Sequence, residues 1–253
     1  MIVGIPKEVK DNENRVAATP ATVHALTGHG HTVLVQVGAG AGSGMSDETY
    51  EAAGSQIVRN AAEVFENAEL ILKVKEPLPS EYPFLRPGQV LFTYLHLAAD
   101  KVLTEALLSR QIVGIAYETI ETPDGRLPLL EPMSEVAGRM AVHIAAMYLS
   151  KPLGGRGVLM AGVPGVAPAV VVILGGGIVG YNAARVAAGM GASVYLLERN
   201  LSRIRYLDAV LPENVTTLMS NPLNLESCLR QADALIGAVL IPGSSRLRKN
   251  PAL

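Results

Sequence analysis

Gly175, Gly177 and Gly180 follow an apolar run, residues 170–174, and open a stretch of helix-forming residues, with Glu198 further on. Strand, glycine loop, helix and acid in that order form the fingerprint of a dinucleotide site. The first glycine permits a tight turn, the second lets a pyrophosphate approach the backbone, and the third lets helix and strand pack closely. Ile178 and Val179 begin the helix, whose free N–H groups and positive dipole end favour phosphate. Glu198 ends the next apolar run, where a carboxylate accepts both ribose hydroxyls and repels a 2′-phosphate, so NAD is favoured over NADP. Arg199 beside it is either a receiver for that phosphate or a solvated surface arginine.

The first half of the chain carries a second set. Arg15 lies in the loop after the first apolar run, Lys75 after residues 70–74, His96 after residues 90–94 and Glu118 after residues 112–117. Singly each has a plain explanation: surface charges for Arg15 and Lys75, a satisfied buried imidazole for His96, a helix or turn acid for Glu118. Together they fit a small carboxylate, because arginine offers bidentate hydrogen bonds, lysine a point charge and histidine a proton exchanged near neutral pH. Beside a nicotinamide, such a set implies hydride transfer to or from a small carboxylic acid bearing an oxidisable hydroxyl or amine. His24, His29, His31 and His143 read as structural or exposed.

Positioning both sets requires parallel sheets, whose carboxyl ends bind ligands in open α/β folds. Short β-branched runs at residues 2–5, 32–37, 70–74, 90–92 and 112–116 alternate with helix-length segments. Thr19 reads as an N-cap, Pro20 as the first helical residue, and Gly28 or Gly30 as the stop. After the turn signal Pro123-Asp124-Gly125, residues 134–149 read as a connecting helix with Val136, Met140, Ile144 and Tyr148 on one face, and residues 154–168 as a Gly/Pro-rich loop. A second alternation follows, with strands at 170–174, 193–197, 215–218 and 234–239. These correspond to strands 1, 2, 3 and 4 of the order 3-2-1-4-5-6. The expectation is an α/β chain of two Rossmann-like domains with parallel sheets, 1–135 for substrate and 136–253 for the nucleotide, the second doubly wound and incomplete.

At 253 residues and 49% hydrophobic, the chain can bury the cores of two such domains. A net charge of -2 and scattered arginine and lysine leave no basic footprint, so nucleic acid is not an expected partner. The single cysteine, Cys228, cannot close an internal disulfide, and no Cys/His cluster has the spacing of a structural metal site. The most apolar stretch, 158–179, is broken by glycine and proline as a membrane helix is not. A cytoplasmic location is expected.

Several longer motifs then resemble the alanine dehydrogenase family: Ile5-Pro6-Lys7-Glu8, Glu13-Asn14-Arg15-Val16-Ala17-Ala18-Thr19-Pro20, Gly38-Ala39-Gly40, Lys73-Val74-Lys75-Glu76-Pro77, Thr93-Tyr94-Leu95-His96-Leu97-Ala98, and residues 160–168 ahead of the glycine loop. The resemblance implies NAD-dependent, reversible oxidative deamination of L-alanine to pyruvate and ammonia in a homohexamer. Carried over residue by residue, it assigns Arg15 and Lys75 to the substrate carboxylate and His96 to the pyruvate oxygen and acid/base chemistry. Gly177 and its neighbours take the pyrophosphate, Glu198 takes the adenosine ribose in place of the family's usual aspartate, and Val239, Ser134 and Ser220 line the cofactor cleft. No metal ligand is assigned, and a metal at Glu118 is left open. A transhydrogenase nucleotide-binding subunit shares the Arg-Val-Ala motif and is an alternative.

Past Gly243 the resemblance stops, whereas the family continues with further nucleotide strands, an aspartate that works with the histidine, and helices that complete the substrate domain. The reading at this point is a truncated family member with uncertain activity, an exposed strand edge and poor solubility. A non-catalytic nucleotide-binding remnant, with Arg246, Arg248 and Lys249 as a replacement ending, is the reading from a different class.

Overall fold

The computed structural model describes residues 1–239, so the basic tail with Arg246, Arg248 and Lys249 lies outside the described residues. The chain divides into two compact units between Leu127 and Pro128, where the sequence reading sets the border near residue 135.

In the first unit, β1 (Ile2–Ile5), β2 (Thr32–Gln36), β3 (Gln56–Val58), β4 (Leu70–Leu72), β5 (Val90–Thr93) and β6 (Val113–Ala116) form one parallel sheet in the order β3-β2-β1-β4-β5-β6. Alternation along the strands feeds two cores. Val33 and Val35 join Val3, Ile5, Val23 and Tyr50, while Leu34 joins Phe65, Ile71, Leu91 and Leu103. Helices α1 (Pro20–Gly28), α2 (Asp47–Ala52), α3 (Ala61–Asn67) and α4 (Lys101–Ser109) supply the covering residues Val23, Tyr50, Phe65 and Leu103. Their starts are written locally: Thr19, Asn60 and Asp100 accept from the amides of Thr22, Glu63 and Leu103. The strand order reverses between β1 and β4, and at such a switch point the loops leaving the carboxyl ends diverge and open a crevice. Arg15 lies in the loop after β1, and Lys75 just past β4.

The second unit begins with the long helix α5 (Glu131–Leu149), starting before the expected residue 134. It continues through β7 (Val170–Leu174), α6 (Ile178–Gly189), β8 (Ser193–Glu198), α7 (Leu201–Val210), β9 (Val215–Met219), α8 (Pro222–Gln231) and β10 (Ala234–Gly237). The four strands are parallel in the order β10-β7-β8-β9, so a second switch point falls between β7 and β10. Both sheet faces are covered over the central strands, although Leu235 of the edge strand β10 is exposed. Val142 of α5 and Ala183, Ala184 and Ala187 of α6 pack with Val171 and Ile173 on one, and Cys228 of α8 packs with Val172 and Leu197 on the other. Val136, Met140, Ile144 and Tyr148 share an exposed side of α5, opposite buried Gly138 and Val142.

Among the described residues, no helix is long and apolar enough to cross a membrane, and no group of three or more His, Cys, Asp or Glu side chains is arranged to hold a metal ion.

Candidate functional site

At the end of β7 the chain turns through Gly175 at φ 97°, and a Cβ there would lie 2.7 Å from the carbonyl oxygen of Ala238. Only glycine meets both demands. Gly180, in the first turn of α6, is tighter still: its Cβ would stand 1.8 Å from the Gly175 carbonyl oxygen. By contrast nothing lies within 4 Å of a Cβ at Gly177, the residue that caps α6, so its backbone stays open to a bulky anion. The amides of Ile178 and Val179 come next, in the turn where helical N–H groups have no partner within the helix. Close packing of α5 holds that turn. A Cβ at Gly138 would reach 2.2 Å from the Val179 carbonyl oxygen, and Arg139 Nε donates to Asn182 Oδ1 at 3.0 Å.

Glu198 ends β8 and binds the loop back to itself: Oε2 accepts from the Gly176 amide at 2.7 Å, and Oε1 accepts from the amides of Arg199 and Asn200 at 2.7 and 2.9 Å. Burial works to raise its pKa, but the amides of Asn200, Gly176 and Arg199 outweigh it and hold the carboxyl below its ordinary value. The group is therefore an ionised acceptor at neutral pH. Arg203 Nε donates to the Gly176 carbonyl at 2.7 Å, while Arg199 is exposed. Ser220, just past β9, donates its amide to the Glu198 carbonyl at 2.9 Å. Val239 follows β10, with Cγ2 3.1 Å from the Cβ direction of Gly175. Thus Gly175, Gly177, Ile178, Val179, Gly180, Glu198, Ser220 and Val239 gather at the carboxyl edge of one sheet, and Ser134 sits one helical turn before Gly138 on α5. Geometry and donor set fit a dinucleotide: an open anion cradle, then an ionised carboxylate one strand away.

In the first unit, the candidates sit at the corresponding edge. Arg15 donates from Nε to Glu13 Oε1 at 2.8 Å and from Nη2 to Glu13 Oε2 at 2.5 Å, a fork that fixes the guanidinium plane. The Arg15 hydrogen bond holds the Glu13 carboxyl below its ordinary value, burial opposes it, and Lys75 contributes as a nearby charge. Lys75 is held by its backbone: the carbonyl accepts from the Thr93 hydroxyl at 2.9 Å, and the amide faces Glu8 Oε1 at 3.4 Å.

His96 adopts the left-handed conformation, φ 50° and ψ 34°, which costs a non-glycine residue about 1–2 kcal/mol. Glu118 opposes that strain by accepting the His96 amide at 2.6 Å and the Leu95 amide at 3.1 Å. Its Oε1 is also 3.9 Å from His96 Nδ1. The exposed imidazole stacks on Tyr94 with centroids 6.0 Å apart and planes 7° apart. Burial pushes the Tyr94 phenol up, with Arg15 opposing and Glu118 adding, and burial raises Tyr117 further. Glu13, Glu8 and Tyr94 stand beside the candidate residues and were left unassigned by the motif reading, although all three lie inside motifs it quotes. His24, His29 and His143 are exposed, and the His31 ring lies 3.4 Å from the N-terminal amine, so none joins this edge.

Two α/β units, each with its ligand edge at a topological switch point and one carrying a dinucleotide fingerprint, define a class of nucleotide-dependent proteins. Residues 4–137 match the family model described as alanine dehydrogenase/PNT, N-terminal domain, and residues 141–249 its C-terminal domain counterpart. The chain belongs to the alanine dehydrogenase/PNT family. It is 57% identical over 244 residues to a protein of Methanococcus maripaludis named alanine dehydrogenase, covering 96% of this chain and 65% of the relative. A Bacillus subtilis protein of the same name is 54% identical, with 96% and 64% covered. The chain thus spans slightly less than two thirds of these curated relatives. Among solved structures it resembles an L-alanine dehydrogenase, with a TM-score of 0.88, 48% identity, and 96% of this chain and 67% of that one covered. A transhydrogenase from Sinorhizobium meliloti gives 0.79 at 26% identity, with 96% and 71% covered.

Proposed function

We propose that the chain carries the alanine dehydrogenase reaction, the NAD-dependent, reversible oxidative deamination of L-alanine to pyruvate and ammonia. The observation that carries this reading is the presence of Arg15, Lys75 and His96 together at the carboxyl edge of one parallel sheet, in a chain more than half identical to proteins bearing that name. Lys75 supplies a point charge and Arg15 a fork held flat by Glu13, a pairing suited to the carboxylate shared by alanine and pyruvate. In this reading His96 hydrogen-bonds the ketone oxygen of pyruvate and exchanges a proton at it. Gly177, Ile178 and Val179 present amides to the pyrophosphate, and ionised Glu198 receives the adenosine ribose and repels a 2′-phosphate, which favours NAD over NADP. NAD, when bound, accepts the hydride from the amino acid. Ser134, Ser220 and Val239 line the nucleotide side. A homohexamer and a cytoplasmic location accompany the reading as family properties.

The test is pyruvate- and ammonia-dependent oxidation of NADH by the purified chain and by its R15Q, K75Q and H96N variants. Turnover in the parent, abolished by each substitution, is the expected result. Saturable NADH binding with no response to pyruvate and ammonia in a folded chain would instead favour a nucleotide-binding role like that of the transhydrogenase relatives.

A further inference from the structure

Lys73 is fully buried, its ammonium 2.8 Å from Glu81 Oε1 and 3.1 Å from Glu8 Oε2, and both carboxylate side chains are themselves 3% exposed. One carboxylate would neutralise one ammonium, yet two are present, so charge compensation explains only one of them. Glu81 spends its other oxygen on its own turn, accepting the Leu78 amide at 3.0 Å. Glu8 instead reaches across to the strand that carries Lys75: Oε1 accepts the Val74 amide at 2.6 Å and faces the Lys75 amide at 3.4 Å. Those amides lie just past β4, beyond the registered pairing with β1 that ends at Ile71, while backbone bonds toward β5 continue through the Lys73 amide and the Val74 carbonyl; a side chain from the β1 side thus supplies bonds that the β1 ladder does not. Glu8 belongs to the same β1–α1 loop as Arg15. One carboxylate therefore ties the two strand ends at the switch point together.

Building on the reading of Arg15 and Lys75 as a carboxylate clamp, we propose that Glu8 is its positioning residue: through the amides of Val74 and Lys75 it sets where Lys75 stands relative to the Arg15 loop, while Lys73, held by Glu81, anchors the Glu8 carboxylate. Glu8 touches no substrate in this role. Its effect is on where the lysine is held, and misplacement of a binding group by an ångström can cost about a hundredfold.

The test uses the whole chain, pyruvate as the probe, and two readouts: pyruvate affinity, and hydrogen exchange at the amides of residues 74 and 75. E8Q keeps an oxygen for the Val74 amide but replaces the oxygen that faces Lys73 with a donor, so it weakens the anchor without removing the tie, and its affinity and its amide exchange fall between those of the parent and of E8M. E8M removes the acceptor; affinity falls by about tenfold or more and exchange at both amides accelerates. An E8M chain that melts cooperatively and binds pyruvate like the parent overturns the proposal. Should E8M fail to fold, E8D replaces it, because the shorter side chain keeps its charge near Lys73 but withdraws from the amides; unchanged affinity in E8D is equally fatal. Faster exchange with undiminished affinity leaves the clamp standing and removes Glu8 from it, whereas parent affinity unmoved by R15Q and K75Q sinks the clamp reading, and the proposal with it.

Discussion

Glu198 closes the glycine loop through the Gly176 amide and, in the proposed function, keeps remaining lone pairs for the ribose. Its pKa is depressed below the ordinary 4.5, so the stability it contributes is present above that value and is lost as pH falls through the folded-state pKa. E198Q should therefore lower the denaturant midpoint at pH 7, with the gap to the parent narrowing as the solution is acidified below 4.5; a gap constant with pH would contradict the assignment. At His96 the argument is conformational. E118A releases the amides of Leu95 and His96, so the left-handed turn relaxes and the imidazole leaves its place. Pyruvate-dependent NADH oxidation should drop by about a hundredfold while the melting temperature moves only a few degrees. Comparable losses in turnover and overall stability would point to a purely structural acid. Arg15, Lys75 and His96 were legible because each follows a recognisable strand. The Lys73 network was not, because its acids lie 65 and 8 positions away and no helical or strand period connects them.

At the scale of the element, the glycine loop separates steric need from ligand access. G180A forces a methyl to 1.8 Å from a backbone carbonyl in a first turn that α5 already braces, and should destabilise the second unit by about 3 kcal/mol and abolish NADH binding. G177A meets open space at φ -67°, so it should melt like the parent yet bind NADH more weakly, because the added methyl occupies ground the pyrophosphate needs. Equal NADH titrations for G177A and the parent would show that the anion does not use this loop. The fingerprint reading found Gly175, Gly177 and Gly180. Gly176 escaped it, since the motif leaves that position free, whereas here a Cβ would strike Leu207 Cδ1 at 2.4 Å, a contact made only by the fold. Strand order in the second sheet was readable because long β-branched runs alternate with helices and the topology rule supplies the rest. β3 went unseen: it has three residues, begins with exposed Gln56, and owes its pairing to β2 rather than to its own period. Pairing also corrected strand ends: β4 ends at Leu72, although the apolar pattern runs to Val74 and backbone bonds toward β5 continue at Lys73 and Val74.

On the scale of the molecule, the residues of the proposed clamp all lie in the first unit. Met1–Leu127 includes the whole six-stranded sheet, both of its cores, Arg15 with Glu13, Lys75 with Glu8, and His96 with Glu118. A stretch of that length is ordinary for an independently folding domain, and α1 to α4 cover both faces over the central strands, although Val113 and Ile115 of β6 are exposed. Residues 1–127 expressed alone should therefore unfold in one cooperative transition, and should keep the amides of Val74 and Lys75 protected from exchange. F65A supplies the internal control: Phe65 is fully buried against the ring of Phe84, at a centroid distance of 5.9 Å, and its removal should cost about 3–5 kcal/mol by urea denaturation. A fragment with no cooperative transition, or one indifferent to F65A, would mean that the sheet owes its stability to chain outside this unit. Protection at residues 74 and 75 in a folded fragment would show instead that the Glu8 tie is an intrinsic property of the first sheet, present before any nucleotide or second unit acts on it.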